Sequence, residues 1–130
     1  MVRVTTAGIA EREGCYFVAK RRTSSSLGGI WQFPGGKKRD HETPEEALKR
    51  EFKEEFNLDI SVGNLIWRGK FNNGEKRYLL QAYRIYMLTD NIRLFEHETY
   101  LWADLSTLKT LEMPESDKML LEFLSSFKQI

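Results

Sequence analysis

The sequence predicts an α+β fold in which sheet and helices pack as layers. Segments rich in β-branched and aromatic residues make up much of the chain, and two further segments have helical character. Strands and helices do not alternate strictly, which is typical of this class. The 130 residues suit one domain spanning positions 1–130.

Composition excludes several classes of protein. An apolar fraction of 41%, with 12% aromatic residues, argues against disorder. The net charge of +1 gives no electrostatic basis for stable nucleic-acid binding. The single cysteine, Cys15, excludes an internal disulfide framework and a cysteine-based zinc site. Without a membrane-length apolar run or a signal-peptide pattern, we expect a cytoplasmic protein with no membrane partner.

The first third of the chain predicts strands and a loop. Val2–Ala10 and Cys15–Lys20 have strand character, and a turn at Glu11–Gly14 would join them as a hairpin. Thr23–Gly29 contains three serines and two glycines and is typical of a surface loop. Ile30–Phe33 is a short apolar segment that ends at a proline.

The first helix has a clear start. Thr43 is a favourable N-cap, Pro44 fits the first helical position, and Glu46 lies three residues after Thr43, as a capping box requires. We expect this helix to end near Phe56.

The second half predicts three strands and one helix. Ile60–Lys70 and Tyr78–Leu88 are strand-like and are joined through Asn72–Glu75, a strong hairpin-turn signal. Tyr100–Ala103 is a short candidate strand. Met113–Phe127 has apolar residues at helical spacing and predicts an amphipathic helix.

The first helix carries the chemically informative residues. Glu51, Glu54 and Glu55 fall within about 100° of arc, because each residue of an α-helix advances by about 100°. The ordinary explanation of such a face is a solvated surface, on which Arg50 pairs with neighbouring glutamates. The alternative is a divalent-metal site, since clustered carboxylates suit Mg²⁺ or Mn²⁺.

The residues around this face resemble a known motif. Gly36, Glu42, Arg50–Glu55 and Leu58 match the Nudix box, G-x5-E-x7-R-E-U-x-E-E-x-G-U, in which U is apolar; eight of its nine defined positions agree. The departure is Asn57, where the family has glycine. Asparagine is the common substitute for glycine in the left-handed conformation that ends a helix. The preceding Trp31–Gly36 also resembles the W-x-F-P-G-G entry of MutT-like members.

The resemblance implies a fold and a set of metal ligands. The fold would be the Nudix-type α/β/α sandwich, with a mixed β-sheet between helices. The ligands of Mg²⁺, which Mn²⁺ can replace, would be Glu51, Glu54, Glu55 and the carbonyl of Gly35. Two further residues would support the motif, Arg50 by orienting the carboxylates and Glu42 by fixing the loop that begins at Gly36.

The resemblance leaves the catalytic base open. Glu51 is one candidate, and Glu96 is another, because Glu96–Trp102 is similar to the E-H-x-E-x-x-W pattern of many members. Glu98 is the neighbouring alternative. These last two residues could equally be ordinary loop carboxylates. Neither His41 nor His97 has a partner histidine at metal-binding spacing, so we assign no metal role to them.

Candidate substrate contacts also follow from the resemblance to MutT-like proteins. Arg21 would contact the substrate, Phe33 would stack on the base, and Ser116 or Asp117 would hydrogen-bond the base edge. The alternative for Arg21 is a solvated strand end. The alternative for Ser116 or Asp117 is a cap of the last helix. If Asp117 is ionised it can only accept hydrogen bonds, which favours the donor-bearing edges of guanine and cytosine.

The leading functional expectation is a Mg²⁺-dependent nucleoside triphosphate pyrophosphohydrolase. Its substrates would include oxidised nucleotides such as 8-oxo-dGTP, or CTP and dCTP. The alternatives are a Nudix hydrolase of another nucleoside diphosphate-linked substrate and a non-catalytic nucleotide-recognition domain. We expect a monomer or homodimer whose partner is a small nucleotide.

Overall fold

The computed structural model describes residues 1–22 and 29–128. Strands and helices of this part, in chain order, are β1 (Val2–Ile9), β2 (Glu11–Arg12), β3 (Cys15–Arg21), β4 (Trp31–Gln32), α1 (Pro44–Phe56), β5 (Ile60–Asn73), β6 (Lys76–Met87), β7 (His97–Ala103), α2 (Leu105–Leu108) and α3 (Glu115–Lys128). The loop predicted at Thr23–Gly29 lies, except for Gly29, outside the described residues. None of the described helices is long and apolar enough to cross a membrane.

The strands form two sheets. In the first, β6 is central, pairing in parallel with β1 and antiparallel with β5. In the second, β3 pairs antiparallel with β2, β4 and β7. The first sheet is therefore mixed, as predicted.

The two long helices cover opposite faces of the strands. Along β3, Val18 packs in a core that includes Leu120 of α3, whereas Phe17 and Ala19 pack in a second core that includes Phe52 of α1. This alternation follows from the two-residue period of a strand, which sends successive side chains to opposite faces. The predicted α+β fold, an α/β/α sandwich, is confirmed.

The predicted hairpin between the first two long strands is wrong. β1 pairs over its whole length with β6, from Val2 opposite Arg77 to Ile9 opposite Arg84. The hairpin partner of β3 is instead the two-residue β2, and the turn between them is Glu13–Gly14, with φ angles of 51° and 78°. A two-residue turn with both φ angles positive matches the twist of antiparallel strands, so β2 and β3 close the hairpin locally.

Most other element boundaries differ from the predictions by a few residues. Strand β5 runs three residues further, to Asn73, before the turn at Gly74, where φ is 64°. Strand β7 begins at His97 rather than at Tyr100. The short helix α2 was missed by the sequence analysis; its N-cap is Asp104, whose side chain accepts the Thr107 N–H.

Candidate active site

Helix α1 begins with the predicted capping box. The Thr43 hydroxyl accepts the Glu46 N–H at 3.1 Å, and the Glu46 carboxylate accepts the Thr43 N–H at 2.8 Å. The buried side of the helix includes Leu48, Phe52 and, among these apolar side chains, Glu55, which is only 2% exposed. Packing therefore takes a carboxylate of the predicted acidic face out of solvent.

The loop before α1 is held along strand β1 by backbone hydrogen bonds. Gly8 N–H donates to the Pro34 carbonyl oxygen at 2.7 Å, and Thr6 N–H donates to that of Gly36 at 2.9 Å. The Thr6 hydroxyl also donates to the Gly36 carbonyl oxygen at 2.9 Å. These bonds place Gly35, between the two anchored residues, beside the acidic helix.

Two glycines allow this close approach. A Cβ atom on Gly35 would collide with the Thr6 carbonyl oxygen, and one on Gly36 would lie 2.5 Å from the carboxyl carbon of Glu51. Real side chains do not tolerate such distances, so any larger residue would push the loop away from the helix. The glycines of the box thus bring backbone against Glu51.

Arg50 joins the loop to the acidic face. Its guanidinium donates to both Glu42 carboxylate oxygens, at 2.5 and 2.9 Å, to Glu51 at 2.7 Å and to Glu54 at 3.1 Å. It also donates to the Lys37 carbonyl oxygen at 3.1 Å. These charge-assisted bonds lower the pKa of Glu42 to about 2 and raise that of Arg50. The ion pairs of Arg50 with Glu51 and Glu54 hold these two carboxylates in place.

Glu55 is electrostatically the most unusual of the acidic residues. The pKa of Glu55 is raised to about 10, mainly by burial and to a smaller extent by the neighbouring Glu51 carboxyl group. Its Oε1 atom has no hydrogen-bond partner among the described residues. Two adjacent carboxylates in a poorly solvated site cannot both ionise unless a positive charge compensates them.

These features fit a divalent cation. Carboxylate and carbonyl oxygens are the ligands that Mg²⁺ prefers. Among the described residues, no three His, Cys, Asp or Glu side chains converge on one point as an enclosing metal cage. A cation beside Glu51 and Glu55 would therefore complete its coordination with carbonyl oxygen, water and substrate phosphate, as Mg²⁺ commonly does.

A cleft of about 660 Å³ opens beside this acidic pair. It brings together most of the predicted site residues, namely Arg21, Phe33, Gly35, Gly36, Glu51, Glu55, Glu96, Ser116 and Asp117. Glu54 is not among the described residues that line the cleft. Its exposed carboxylate faces Arg50 and lies 4.0 Å from Arg39. Glu98 pairs with Lys20 at 3.3 Å and is also outside the lining.

Arg21 and Glu96 both line the cleft and lie next to each other. The Arg21 Nε atom donates to Gln32 at 2.5 Å, and its Nη1 atom lies 3.7 Å from Glu96. More than half of the Glu96 side chain is exposed. A carboxylate and a guanidinium are therefore both presented near the acidic pair.

Asp117 lies in the cleft, as its expected base-reading role requires, but it is buried. It is 6% exposed, lines the cleft near the start of α3, and receives a hydrogen bond from the Phe33 backbone. Burial raises its pKa to about 8, the Phe33 bond opposing this only in part. The expectation of an ionised, acceptor-only Asp117 is thus wrong at neutral pH, because desolvation favours the protonated form.

The aromatic lining also differs from the expectation for Phe33. Its ring belongs to the core, and the residue is only 2% exposed, so little of the ring is free to stack on a base. Phe71, which the sequence analysis did not single out, lines the same cleft, is half-buried and stacks on Tyr78 with ring centroids 5.1 Å apart.

His97 is a second residue that sequence analysis set aside. It is 1% exposed, and its Nδ1 atom lies 3.7 Å from Glu55 Oε1. The pKa of His97 is lowered to about 4, mainly by burial and to a smaller extent by the positive charge of Arg21, so the ring is neutral. Its position between Glu96 and Glu98 in the E-H-x-E-x-x-W pattern was the available signal.

Comparison with known proteins identifies the family of this chain. A family model described as the NUDIX domain matches residues 5–123. An 8-oxo-dGTP diphosphatase of Proteus vulgaris is 40% identical over 65 residues, which are 50% of this chain and 58% of that protein. A CTP pyrophosphohydrolase of Escherichia coli K12 is 28% identical over 122 residues, or 94% of this chain and 90% of that protein.

Solved structures show the same fold. The solution structure of the Escherichia coli ORF135 protein superposes with a TM-score of 0.87 and 25% identity, covering 98% of this chain and 91% of that one. The family match spans both sheets, the acidic helix and most of α3. The chain therefore belongs to the Nudix hydrolase family.

Proposed function

We propose that the protein hydrolyses nucleoside triphosphates to nucleoside monophosphates and pyrophosphate, with Mg²⁺ or Mn²⁺ as cofactor. The observation that carries this proposal is a single cleft that combines the Glu51–Glu55 pair with Arg21 and, on α3, Asp117. Such a cleft offers acidic residues for a cation that binds phosphates, and a buried polar group for a base.

The chain's own residues would divide the work. Glu51, Glu55 and the Gly35 carbonyl would hold the cation, with Glu54 as the further ligand that the motif implies. When bound, the cation would supply positive charge to the phosphates of the substrate and would lower the pKa of a water. Arg50 keeps Glu51 in position. As a water attacks phosphorus and the bond to pyrophosphate breaks, the water's proton would pass to a carboxylate of the cleft, for which Glu51 and Glu96 are the candidates.

The base would be recognised by other residues of the cleft. Phe71 provides a half-buried ring for stacking, and a protonated Asp117 provides one donor and one acceptor. Ser116 adds a rotatable hydroxyl beside it. The similarity to an 8-oxo-dGTP diphosphatase and to a CTP pyrophosphohydrolase supports oxidised guanine and cytosine nucleotides as the first substrates to test.

The test is a substrate panel with product identification. 8-oxo-dGTP, dGTP, CTP, dCTP, UTP, dTTP and a nucleoside diphosphate sugar are incubated with protein and Mg²⁺, and pyrophosphate and phosphate are separated by ion chromatography. We expect pyrophosphate from a triphosphate, and none after EDTA treatment. Nucleotide binding without turnover would indicate a recognition domain, and turnover of only the diphosphate sugar would indicate another hydrolase class.

A further inference from the structure

His97 lies against Glu55, a buried carboxylate of the site. Its ring stacks on Phe56 with centroids 5.0 Å apart and an interplanar angle of 15°. Its Nδ1 atom faces Glu55 Oε1 at 3.7 Å, just beyond hydrogen-bonding distance. The ring is therefore held beside the carboxylate and cannot turn freely away from it.

Backbone hydrogen bonds fix the segment that carries His97. Phe95 N–H donates to the Glu55 carbonyl oxygen at 3.2 Å, and Arg93 N–H donates to that of Phe56 at 2.9 Å. Beyond them, His97 itself pairs with Arg21 of strand β3. The histidine is thus tied both to the last turn of α1 and to the sheet.

The side chains of Glu55 and His97 carry buried polar atoms that are not satisfied by hydrogen bonds among the described residues. Glu55 Oε1 and both ring nitrogens of His97 are buried and lack hydrogen-bond partners among the described residues. A buried polar group without a partner destabilises the fold, so these three atoms require an explanation. The simplest explanation is a hydrogen bond from the His97 Nδ1–H to the facing Glu55 Oε1 atom, formed when Glu55 holds a cation.

We infer that His97 is a positioning residue: its Nδ1–H donates to Glu55 and so holds that carboxylate in the orientation that binds the divalent cation. This inference rests on the proposed metal-dependent function. Residues that hydrogen-bond metal ligands commonly change metal affinity by about 10- to 100-fold when removed. The nearby charged groups, Glu51, Glu96 and Arg21, lie in the same cleft and are left unchanged by the variants described next.

Two variants separate this role from simple packing. His97→Phe keeps a stacked ring but removes both nitrogens, whereas His97→Asn loses the ring but keeps a donor near the position of Nδ1. Mn²⁺ affinity of the nucleotide-free protein is measured by electron paramagnetic resonance of the free ion, and thermal unfolding is measured in EDTA. His41→Asn, at the other, exposed histidine, is the matched control.

We expect the two measurements to rank the variants in opposite orders. His97→Phe should bind Mn²⁺ roughly 10- to 100-fold more weakly while unfolding at or above the wild-type temperature. His97→Asn should stay within about threefold of wild-type affinity while unfolding at a lower temperature. A purely structural histidine would make the phenylalanine variant bind Mn²⁺ normally, which would overturn the inference.

Glu55→Gln distinguishes failure of this inference from failure of the proposed function. If the wild type binds Mn²⁺, Glu55→Gln loses binding and His97→Phe retains it, only the role of His97 is wrong. If the wild type neither binds Mn²⁺ nor hydrolyses a nucleotide, the proposed function fails and the inference fails with it.

Discussion

Asn57 ends helix α1 in a left-handed conformation, and its side-chain amide donates to the Asn91 carbonyl oxygen at 3.2 Å. The φ and ψ angles of 60° and 30° confirm the conformation predicted for the one box position that departs from glycine. The bond to Asn91 is something glycine could not provide. It ties the helix end to the segment that leads to His97.

Substitutions at Asn57 should reflect this conformation. Asn57→Val should destabilise the fold by roughly 1–2 kcal/mol, because a Cβ-branched residue crowds the left-handed region. Asn57→Gly should change stability by less than about 0.5 kcal/mol, because easier backbone geometry offsets loss of the exposed bond to Asn91. Urea denaturation measures both, and a valine variant as stable as wild type would contradict the prediction.

Glu55→Gln should lower activity with Mg²⁺ by at least roughly 10²-fold, the scale seen when one strong electrostatic element of a site is lost. The substitution keeps the shape of the side chain and removes its negative charge. Glu45→Gln, on an exposed position of the same helix, is the control and should stay near wild type. Near-normal turnover by Glu55→Gln at saturating Mg²⁺ would remove Glu55 from the proposed ligands.

The metal-free protein should become less stable relative to Glu55→Gln as pH rises. The pKa of Glu55 is raised from 4.5 to about 10, so the folded state binds the proton more tightly than the unfolded state. Its stabilising contribution is complete below about pH 4.5 and is lost as pH rises towards 10. In EDTA, the free energy of unfolding of the wild type should fall relative to that of Glu55→Gln by at least roughly 1 kcal/mol between pH 6 and 9. Parallel stability curves for the two proteins would contradict this.

Arg50→Lys should reduce activity by roughly 10- to 100-fold and lower the unfolding temperature. A lysine keeps the charge but cannot bond Glu42, Glu51 and Glu54 together, because it lacks the planar fork of a guanidinium. Lys49→Arg, the reverse exchange at the adjacent exposed position, is the matched control. Activity assays and thermal unfolding of both variants decide the outcome, and equal behaviour would show that charge alone suffices.

Base discrimination by Asp117 should depend on pH. The pKa of about 8 means that Asp117 is protonated at pH 7, when it can pair with guanine, cytosine or uracil edges. Once ionised it can only accept, which favours the N1–H and N2–H₂ donors of guanine over the carbonyl oxygens of uracil. The kcat/KM ratio of GTP to UTP should therefore rise between pH 7 and 9.

Two variants test this assignment. Asp117→Asn carries both a donor and an acceptor at every pH, so its ratio should stay flat. Asp117→Ala should bring the kcat/KM ratio of GTP to UTP closer to one at every pH between 7 and 9. A ratio that rises equally in Asp117→Asn and wild type would place base reading elsewhere in the cleft.

Local features of the sequence determined the acidic helix and its ends. The capping box of Thr43 and Glu46 and the left-handed Asn57 both formed as predicted, because they depend on neighbouring residues and on backbone geometry. The spacing of the Nudix box likewise identified the family, since its positions lie on one helix and the loop before it.

Tertiary structure decided which of these groups are buried and which residues they meet. Sequence spacing placed Glu54 and Glu55 on one arc, but packing exposed the first and buried the second beside His97. The pairing of β1 with β6 and the raised pKa of Asp117 were likewise not predicted from the sequence. Desolvation and pairing depend on atoms brought together from distant positions, and no local pattern in the chain encodes those contacts.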